Sequence, residues 1–175
     1  FDAVPHPDDR QNLLFVGRLA AVKGVPILLE SMAQLKKTNP QARLTLVGDG
    51  PERPMLEKMA TDLGVRDVVE FVGYNSQSEV RGSLQQSDVF VLPTFAEGMP
   101  IVFMEALAAG VPVVSTQIAG HSDLVEHGKS GYLVSPGDNV SLTTALKTLL
   151  DAPALRCQFS AAGRAKIRAE FDLDR

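Results

Sequence analysis

The chain alternates short runs of β-branched and aliphatic residues with longer helical patterns, and this alternation constrains its fold more than any other feature. Five runs predict buried strands and a sixth run is weaker; they cover residues 13–16, 44–47, 68–72, 89–92, 111–115 and 132–134. Helices are predicted over residues 26–37, 51–63, 78–86, 100–109, 122–126, 142–150 and 153–170. Because strands that alternate with helices imply right-handed crossovers, we predict one α/β domain with a doubly wound, Rossmann-like parallel sheet.

Several of the predicted helices carry start or stop signals. Proline suits the first helical turn and stands at the predicted start of three helices, at Pro26, Pro51 and Pro100. Ser76 and Glu79 have the spacing of a capping box at the start of another helix. Gly110, which precedes a proline, predicts the end of the helix over residues 100–109.

Composition limits the partners of the chain. With 17 Lys and Arg against 21 Asp and Glu, the net charge is −4, so neither nucleic acid nor an anionic membrane surface is an expected partner. A single cysteine, Cys157, excludes an internal disulfide and suits a reducing compartment, and its helical pattern predicts a core position. Since no membrane-length apolar run or signal peptide is visible, we expect a cytoplasmic protein.

The first candidate site lies where the first strand ends. Ligands of doubly wound sheets bind beyond the carboxyl ends of the strands, and Gly17 ends the first one. Arg18 and Lys23 follow, close to a helix start whose dipole disfavours cations, which suggests an anion between them. A planar guanidinium and a mobile ammonium together suit a diphosphate, although both residues could equally be solvated loop cations.

The second candidate site is the segment over residues 96–115, "AEGMPIVFMEALAAGVPVVS". With Pro100 at the first helical position, the free amides of Met99, Ile101 and Val102 predict a phosphate cradle. Gly98 would allow a ligand to approach the backbone. Glu97 is also explained as an acid that favours a helix N-terminus, without any ligand.

Glu105 lies in a helix whose other residues are apolar on every face. An unpaired buried carboxylate would be strongly unfavourable, so we expect a fixed partner for Glu105. A backbone donor, a cation, or the two adjacent hydroxyls of a ribose would each serve.

The remaining motifs predict no chemistry. Gly48-x-Gly50 lacks the third glycine of a dinucleotide fingerprint, which makes an Asp-Gly turn the better interpretation. The Asp172-x-Asp174 pair lies in the tail of the sequence, far from the predicted strand ends, so it is not expected to bind a metal. The histidines have no metal-ligand spacing, and surface or packing roles are expected for His6, His121 and His127. Core positions are expected for Phe15, Phe71, Phe90 and Phe103.

Together these residues resemble the carboxyl-terminal, donor-binding domain of family 4 retaining glycosyltransferases, which have the two-domain GT-B fold. The resemblance covers residues 13–137 and includes "FVGRLAAVKG", "LTLVGDGPER", "VVEFVGY", "SDVFVLPTFAEGMPIVFMEALAAGVPVVST" and "GHSDLVEHGKSGYLVSPGD". The spacing of Glu97 and Glu105, in order after Arg18 and Lys23, is the most specific element. The variant "EGMP…MEALAAG" is most similar to bacterial enzymes of extracellular and cell-surface polysaccharide assembly.

The resemblance implies a role for each matching position. Arg18 and Lys23 would bind the diphosphate of a UDP-, GDP- or ADP-sugar, and Glu97 would contact the hydroxyls of the sugar. The backbone of Gly98, Met99, Pro100 and Ile101 would bracket sugar and phosphate, Glu105 would bind the ribose hydroxyls, and Gly73, Tyr74 and Asn75 would edge the base. Pro100 replaces a glycine of many relatives, which removes one N–H donor from the cradle. The family is expected to need no metal or cofactor.

The resemblance also predicts a missing half. We expect residues 1–175 to be one carboxyl-terminal domain, with a linker over 1–11, a helical tail over 153–175, and the acceptor-binding amino-terminal domain absent. The isolated domain should then be inactive, and peripheral membrane contact is left open for the full-length protein only. A non-catalytic nucleotide-binding module, or a sugar-nucleotide epimerase of GT-B type, is the alternative.

Overall fold

The computed structural model describes residues 10–171, and a six-stranded parallel sheet lies at its centre. The strands are β1 (Asn12–Val16), β2 (Arg43–Val47), β3 (Val69–Gly73), β4 (Val89–Leu92), β5 (Val113–Thr116) and β6 (Gly131–Val134). Their order is β3-β2-β1-β4-β5-β6, and every neighbouring pair is parallel. The predicted doubly wound α/β fold is therefore confirmed.

Seven helices cover the two faces of the sheet in the described part of the chain. They are α1 (Val25–Thr38), α2 (Arg53–Asp62), α3 (Gln77–Gln85), α4 (Ile101–Ala108), α5 (His121–Leu124), α6 (Asn139–Asp151) and α7 (Pro153–Phe171). Helix α1 packs against α2 and α6, whereas α4 packs against α7. Right-handed crossovers account for this division, because the chain moves one way from β1 to β3 and the other way from β4 to β6.

The signals at the helix ends mostly act as predicted. In the capping box of α3, Ser76 Oγ accepts from the Glu79 amide, and the Glu79 carboxylate accepts from the Ser76 amide at 2.6 Å. Gly110 ends α4 with a φ of +77°. Strand β5 nevertheless begins two residues later than predicted, because the amide of Val111 is bonded to Ala106 of α4. The prediction for Pro51 was wrong, since α2 begins at Arg53 and Pro51 lies in the preceding turn.

The core lies between the sheet and its helices. Phe15, Phe90 and Phe103 are fully buried as predicted, and the partly buried Phe71 packs against the core. The core prediction for Cys157 was wrong, because its side chain is exposed. Helix α7 buries Phe159, Gly163 and Ile167 along one face. Cys157, two residues before Phe159, lies outside that face.

The order of the strands positions the candidate site. Strands β1 and β4 are neighbours, paired from Leu13 with Val89 and from Leu14 with Phe90, so both strands end at the same edge. The direction of winding reverses between these two strands. Ligands of doubly wound folds bind at such a switch point, beyond the carboxyl ends of the strands.

The joint between α6 and α7 provides a test of the fold. Arg156 of α7 is buried, and its Nη1 donates to the carbonyls of Leu149 and Leu150, at 2.7 and 2.9 Å. We expect Arg156→Met to lower the free energy of unfolding by about 2–3 kcal/mol, because the Leu150 carbonyl loses its side-chain donor and the Leu149 carbonyl keeps only the Ala152 amide, at 3.4 Å. Denaturant unfolding measures the change.

Arg168, on the same helix but exposed, is the matched control. Arg168→Met should change the unfolding free energy by less than about 0.5 kcal/mol. Equal effects of the two substitutions would contradict a capping role for Arg156.

Candidate functional site

An ion pair between Lys23 and Glu97 lies at the switch point. Lys23 ends a 3-10 turn (Ala21–Lys23) in the loop after β1, and Glu97 belongs to the loop after β4. Their side chains are only 18% and 20% exposed. Two residues that sequence reasoning assigned to one ligand are therefore in direct contact.

Backbone contacts hold the two loops together beside this pair. The Phe95 amide donates to the Val22 carbonyl at 2.8 Å. Gly24 has a φ of +71°, and a Cβ at this position would lie 2.0 Å from the carbonyl oxygen of Pro93. Only glycine permits this approach, so Gly24 determines how closely the loop after β1 can lie against the loop after β4.

Arg18 is exposed, and its guanidinium forms no hydrogen bond or ion pair with any residue in the range 10–171. The preceding residue, Gly17, is fixed by donation of its amide to the Val47 carbonyl at 3.0 Å. Arg18 therefore projects from an anchored backbone at the carboxyl end of β1. It is a cation available to a ligand.

The start of α4 differs in one detail from the prediction. Pro100 is the N-cap, with extended backbone angles, and Ile101 is the first helical residue, so the placement of Pro100 inside the first turn was wrong. The amides of Met99, Ile101 and Val102 still have no hydrogen-bond partner among the described residues. Gly98 and Met99 are exposed, so an anion can reach these amides.

Glu105 is less buried than the apolar helix suggested, and the expectation of a deep carboxylate was wrong. Helix α4 turns Phe103, Ala106 and Leu107 into the core, which leaves Glu105 half-buried at the side of the helix. Its carboxylate accepts a hydrogen bond from Gln77 Nε2 at 3.1 Å. A side-chain amide was not among the partners considered from the sequence.

The segment Gly73–Asn75 lies at the same edge but farther along it. Gly73 ends β3, and its carbonyl accepts from the Gly48 amide at 2.7 Å. Tyr74 is 84% exposed, and Asn75 is half-buried. Strand β3 is three strand spacings from β4, about 14 Å. The hydrogen bond between Gln77 and Glu105 connects the two sides of this interval. Gln77 begins α3, which follows β3, and Glu105 belongs to α4, which follows β4.

His121 also lies in this region, and the sequence did not reveal that one of its ring nitrogens is buried without a partner among residues 10–171. It is fully buried, so the packing alternative was right, and its ring lies 4.8 Å from that of Phe103. Its Nδ1 is 3.0 Å from the Thr116 carbonyl, whereas its buried Nε2 has no partner among residues 10–171. Burial lowers the pKa of His121, against smaller raising effects of the Thr116 carbonyl and Glu97, and Lys23 lowers it further. The signal that the sequence offered was the position of His121 shortly after β5, in one of the loops at the carboxyl ends of the strands.

The other chemistry-bearing residues lie elsewhere. His127 is exposed and accepts from the Leu133 amide at 3.0 Å, whereas His6, Asp172 and Asp174 lie outside the described residues. A cavity of about 460 Å³ opens near the start of β1 to β3, beside Asn12, Arg43 and Asp67, and no predicted site residue lines it. In the range 10–171 there is neither a cluster of His, Cys, Asp and Glu suited to a metal nor a helix able to span a membrane.

Gly24 and Gly128 provide a matched test of the contact between the two loops. Both have positive φ, but a Cβ at Gly128 meets nothing within 4 Å. We expect Gly128→Ala to cost about 1 kcal/mol from backbone strain alone. Gly24→Ala should cost about 1–3 kcal/mol more, because the Pro93 carbonyl must move. Denaturant unfolding measures both, and equal losses would contradict the close approach.

The lowered pKa of His121 predicts a pH dependence of stability. Between the lowered pKa of His121 in the folded chain and about 6.5 in the unfolded chain, the unfolded chain binds more protons at this histidine, so acidification favours unfolding by up to about 1.4 kcal/mol per pH unit. His121→Asn cannot titrate. The difference in unfolding free energy, wild type minus variant, should therefore fall as the pH is lowered from 7 to 5. A difference independent of pH would contradict a neutral buried imidazole.

Comparison with known proteins places this geometry in a family. Alpha-D-kanosaminyltransferase of Streptomyces kanamyceticus is 36% identical over 149 residues, which are 85% of this chain and 39% of that protein. The amylovoran biosynthesis glycosyltransferase AmsK of Erwinia amylovora is 34% identical over 92% of this chain and 41% of its own length. The chain thus spans about two fifths of each of these relatives.

The fold is also similar to that of solved structures. The Anabaena protein HepE, crystallised with UDP and glucose, superposes with a TM-score of 0.84 at 26% identity, over 92% of this chain and 44% of that one. The sheet and its helices match the carboxyl-terminal domains of GT-B glycosyltransferases. The family model for glycosyl transferases group 1 matches residues 1–166. The chain belongs to the glycosyl transferases group 1 family.

Proposed function

We propose that the protein transfers a hexose from a nucleoside diphosphate sugar to a saccharide or lipid-linked acceptor, and that this chain is its donor-binding domain. The Lys23–Glu97 pair at the switch point carries the proposal, because it combines a cation for phosphate with a carboxylate for hydroxyls. Relatives of polysaccharide biosynthesis, and a neighbour solved with UDP and glucose, support this class of donor. Retention of the anomeric configuration and membership of family 4 are part of the proposal.

The charges near the site suit the departure of a diphosphate. Breaking the bond from the anomeric carbon to phosphate develops negative charge on the diphosphate. In this proposal Arg18, Lys23 and the amides at the start of α4 stabilise this charge, and no metal ion takes part. Arg18 can form a bidentate contact because no residue of the described range 10–171 pairs with its guanidinium.

The proposed contacts to the rest of the donor lie along one edge of the sheet. Glu97, on the loop after β4, would accept hydrogen bonds from hydroxyls of the hexose. Glu105 would exchange the amide of Gln77 for the ribose hydroxyls, and Gly73, Tyr74 and Asn75 would edge a uracil, guanine or adenine base. The ligand would then lie along the carboxyl edge of the sheet from β4 to β3.

The rest of the full-length protein would supply an amino-terminal acceptor domain. Apolar side chains are exposed around the candidate site, among them Ile101 at 69%, Met99 and Phe95. Such a patch suits contact with a partner surface. We propose that the amino-terminal domain closes over it, that the isolated domain is inactive, and that the protein works in the cytoplasm without a tightly bound cofactor.

Titration calorimetry with UDP, GDP and ADP tests the proposed diphosphate-binding site. We expect at least one nucleotide to bind, and Arg18→Ala and Lys23→Ala each to weaken its affinity about tenfold or more through loss of a charged hydrogen bond. Lys58→Ala is the control, because Lys58 is an exposed lysine of α2 paired with Asp62. The absence of binding by all three nucleotides, in a folded sample, would overturn the proposal.

Glu97→Ala separates a transferase from a module that binds only nucleotides. The substitution removes the hydroxyl acceptor and releases Lys23 from its ion pair. Affinity for the sugar-bearing donor should fall about tenfold, whereas affinity for the free nucleotide should stay equal or rise. Calorimetry with the nucleotide and with its sugars compares the two. An equal loss for both ligands would favour the non-catalytic module.

A further inference from the structure

A chain of buried hydrogen bonds connects His121 to the loops of the Lys23–Glu97 pair. Thr116 Oγ1 donates to the Thr94 carbonyl at 2.6 Å. Thr94 Oγ1 donates to the Ala96 carbonyl at 2.8 Å and lies 3.1 Å from the Val22 carbonyl. Ala96 and Val22 directly precede Glu97 and Lys23. The connected side chains are almost fully buried, and we name them the relay: His121, Thr116 and Thr94.

The hydrogen-bond network assigns the proton of His121. Its Nδ1 lies 3.0 Å from the Thr116 carbonyl, which can only accept. The hydroxyl of Ser115, 3.1 Å away, donates to the Leu92 carbonyl and so accepts from the ring. Nδ1 must therefore carry the proton in this arrangement. Nε2 is left as a bare acceptor, buried and without a partner in the described chain.

We propose that His121 is a positioning residue of the donor site: through Thr116 and Thr94 it holds the backbone on both sides of the Lys23–Glu97 contact. This inference rests on the proposed function, since the loops that the relay holds form the proposed donor site. His121 acts through the loops and contacts no reacting atom. Its donor at Nδ1 fixes Thr116, and the Thr116 hydroxyl fixes Thr94. The Thr94 hydroxyl shares its single proton between the carbonyls of Ala96 and Val22, in the loops after β4 and β1.

A positioning role and a packing role of His121 predict opposite effects for two substitutions. His121→Leu keeps an apolar side chain against Phe103 but removes the donor to Thr116. His121→Asn loses ring packing but places an amide N–H as many bonds from the backbone as Nδ1. If His121 positions the loops, asparagine should preserve the site and leucine should loosen it. If His121 only fills the core, leucine should be tolerated and asparagine should not.

Amide hydrogen exchange of the 175-residue chain reports this difference without any ligand. The Phe95 amide, bonded to Val22, monitors the contact between the loops, and the Leu44 amide, bonded to Val68, monitors global unfolding. We expect exchange at Phe95 to become about tenfold faster in His121→Leu than in wild type, and to return to the wild-type rate in His121→Asn. Exchange at Leu44 should change less, because the effect is local.

Substitutions of the two threonines complete the test. Thr116→Val and Thr94→Val should each accelerate exchange at Phe95. Adding His121→Leu to Thr116→Val should add little, because members of one network are not additive. Thr143→Val is the control, since Thr143 bonds to Asn139 within α6 and belongs to no relay. Equal acceleration at Phe95 and Leu44, or exchange unchanged in His121→Leu, would overturn the proposal.

Calorimetry with UDP and UDP-sugars distinguishes failure of this inference from failure of the proposed function. We expect His121→Leu to weaken binding of the sugar-bearing donor about tenfold, and His121→Asn to restore it. Wild-type binding with no effect of His121→Leu on affinity or exchange would overturn the relay and leave the function standing. The predicted exchange pattern, in a wild type that binds no nucleotide, would support the relay and count against the function.

Discussion

The candidate site depends on direct contact between the loops after β1 and β4. The pairing of Leu14 with Phe90 makes the two strands end at the same level, and Gly24 lets their loops meet. The Phe95 amide and the Lys23–Glu97 pair then join the loops. Without this contact, two charges that are distant in sequence would have no fixed relation, because loop side chains lose much entropy when they are held.

The charges of the site are arranged differently from those of the molecule as a whole. The chain has a net charge of −4, yet two cations, Arg18 and Lys23, and the amides at the start of α4 lie in the loops at the switch point. Glu97 compensates part of this charge in a setting only about one fifth exposed to solvent. Mixed polarity of this kind suits a ligand with an anionic group next to hydroxyls, since each group finds a preorganised partner.

Support for the site comes from a layer of polar groups behind it. His121, Thr116 and Thr94 reach the loops of the site through hydrogen bonds to backbone carbonyls. Buried hydrogen bonds of this kind are strong and costly to leave unmade, so they favour one loop conformation over others. The same edge carries exposed apolar side chains, in a chain that spans about two fifths of its matched relatives.

The sequence by itself determined the parallel α/β fold, every strand, and membership among the glycosyltransferases, because strand and helix periods are local and the motifs are specific. The narrower assignment to family 4 stays a prediction. The sequence also predicted Lys23 and Glu97 as residues of one site, and their role in binding a donor stays a prediction. Only the tertiary structure decided that these two residues pair, that Gln77 partners Glu105, and that Cys157 faces outward. Nor could periodicity reveal the surroundings of His121, because burial and hydrogen-bond partners depend on which strands become neighbours, and the chain order does not specify that.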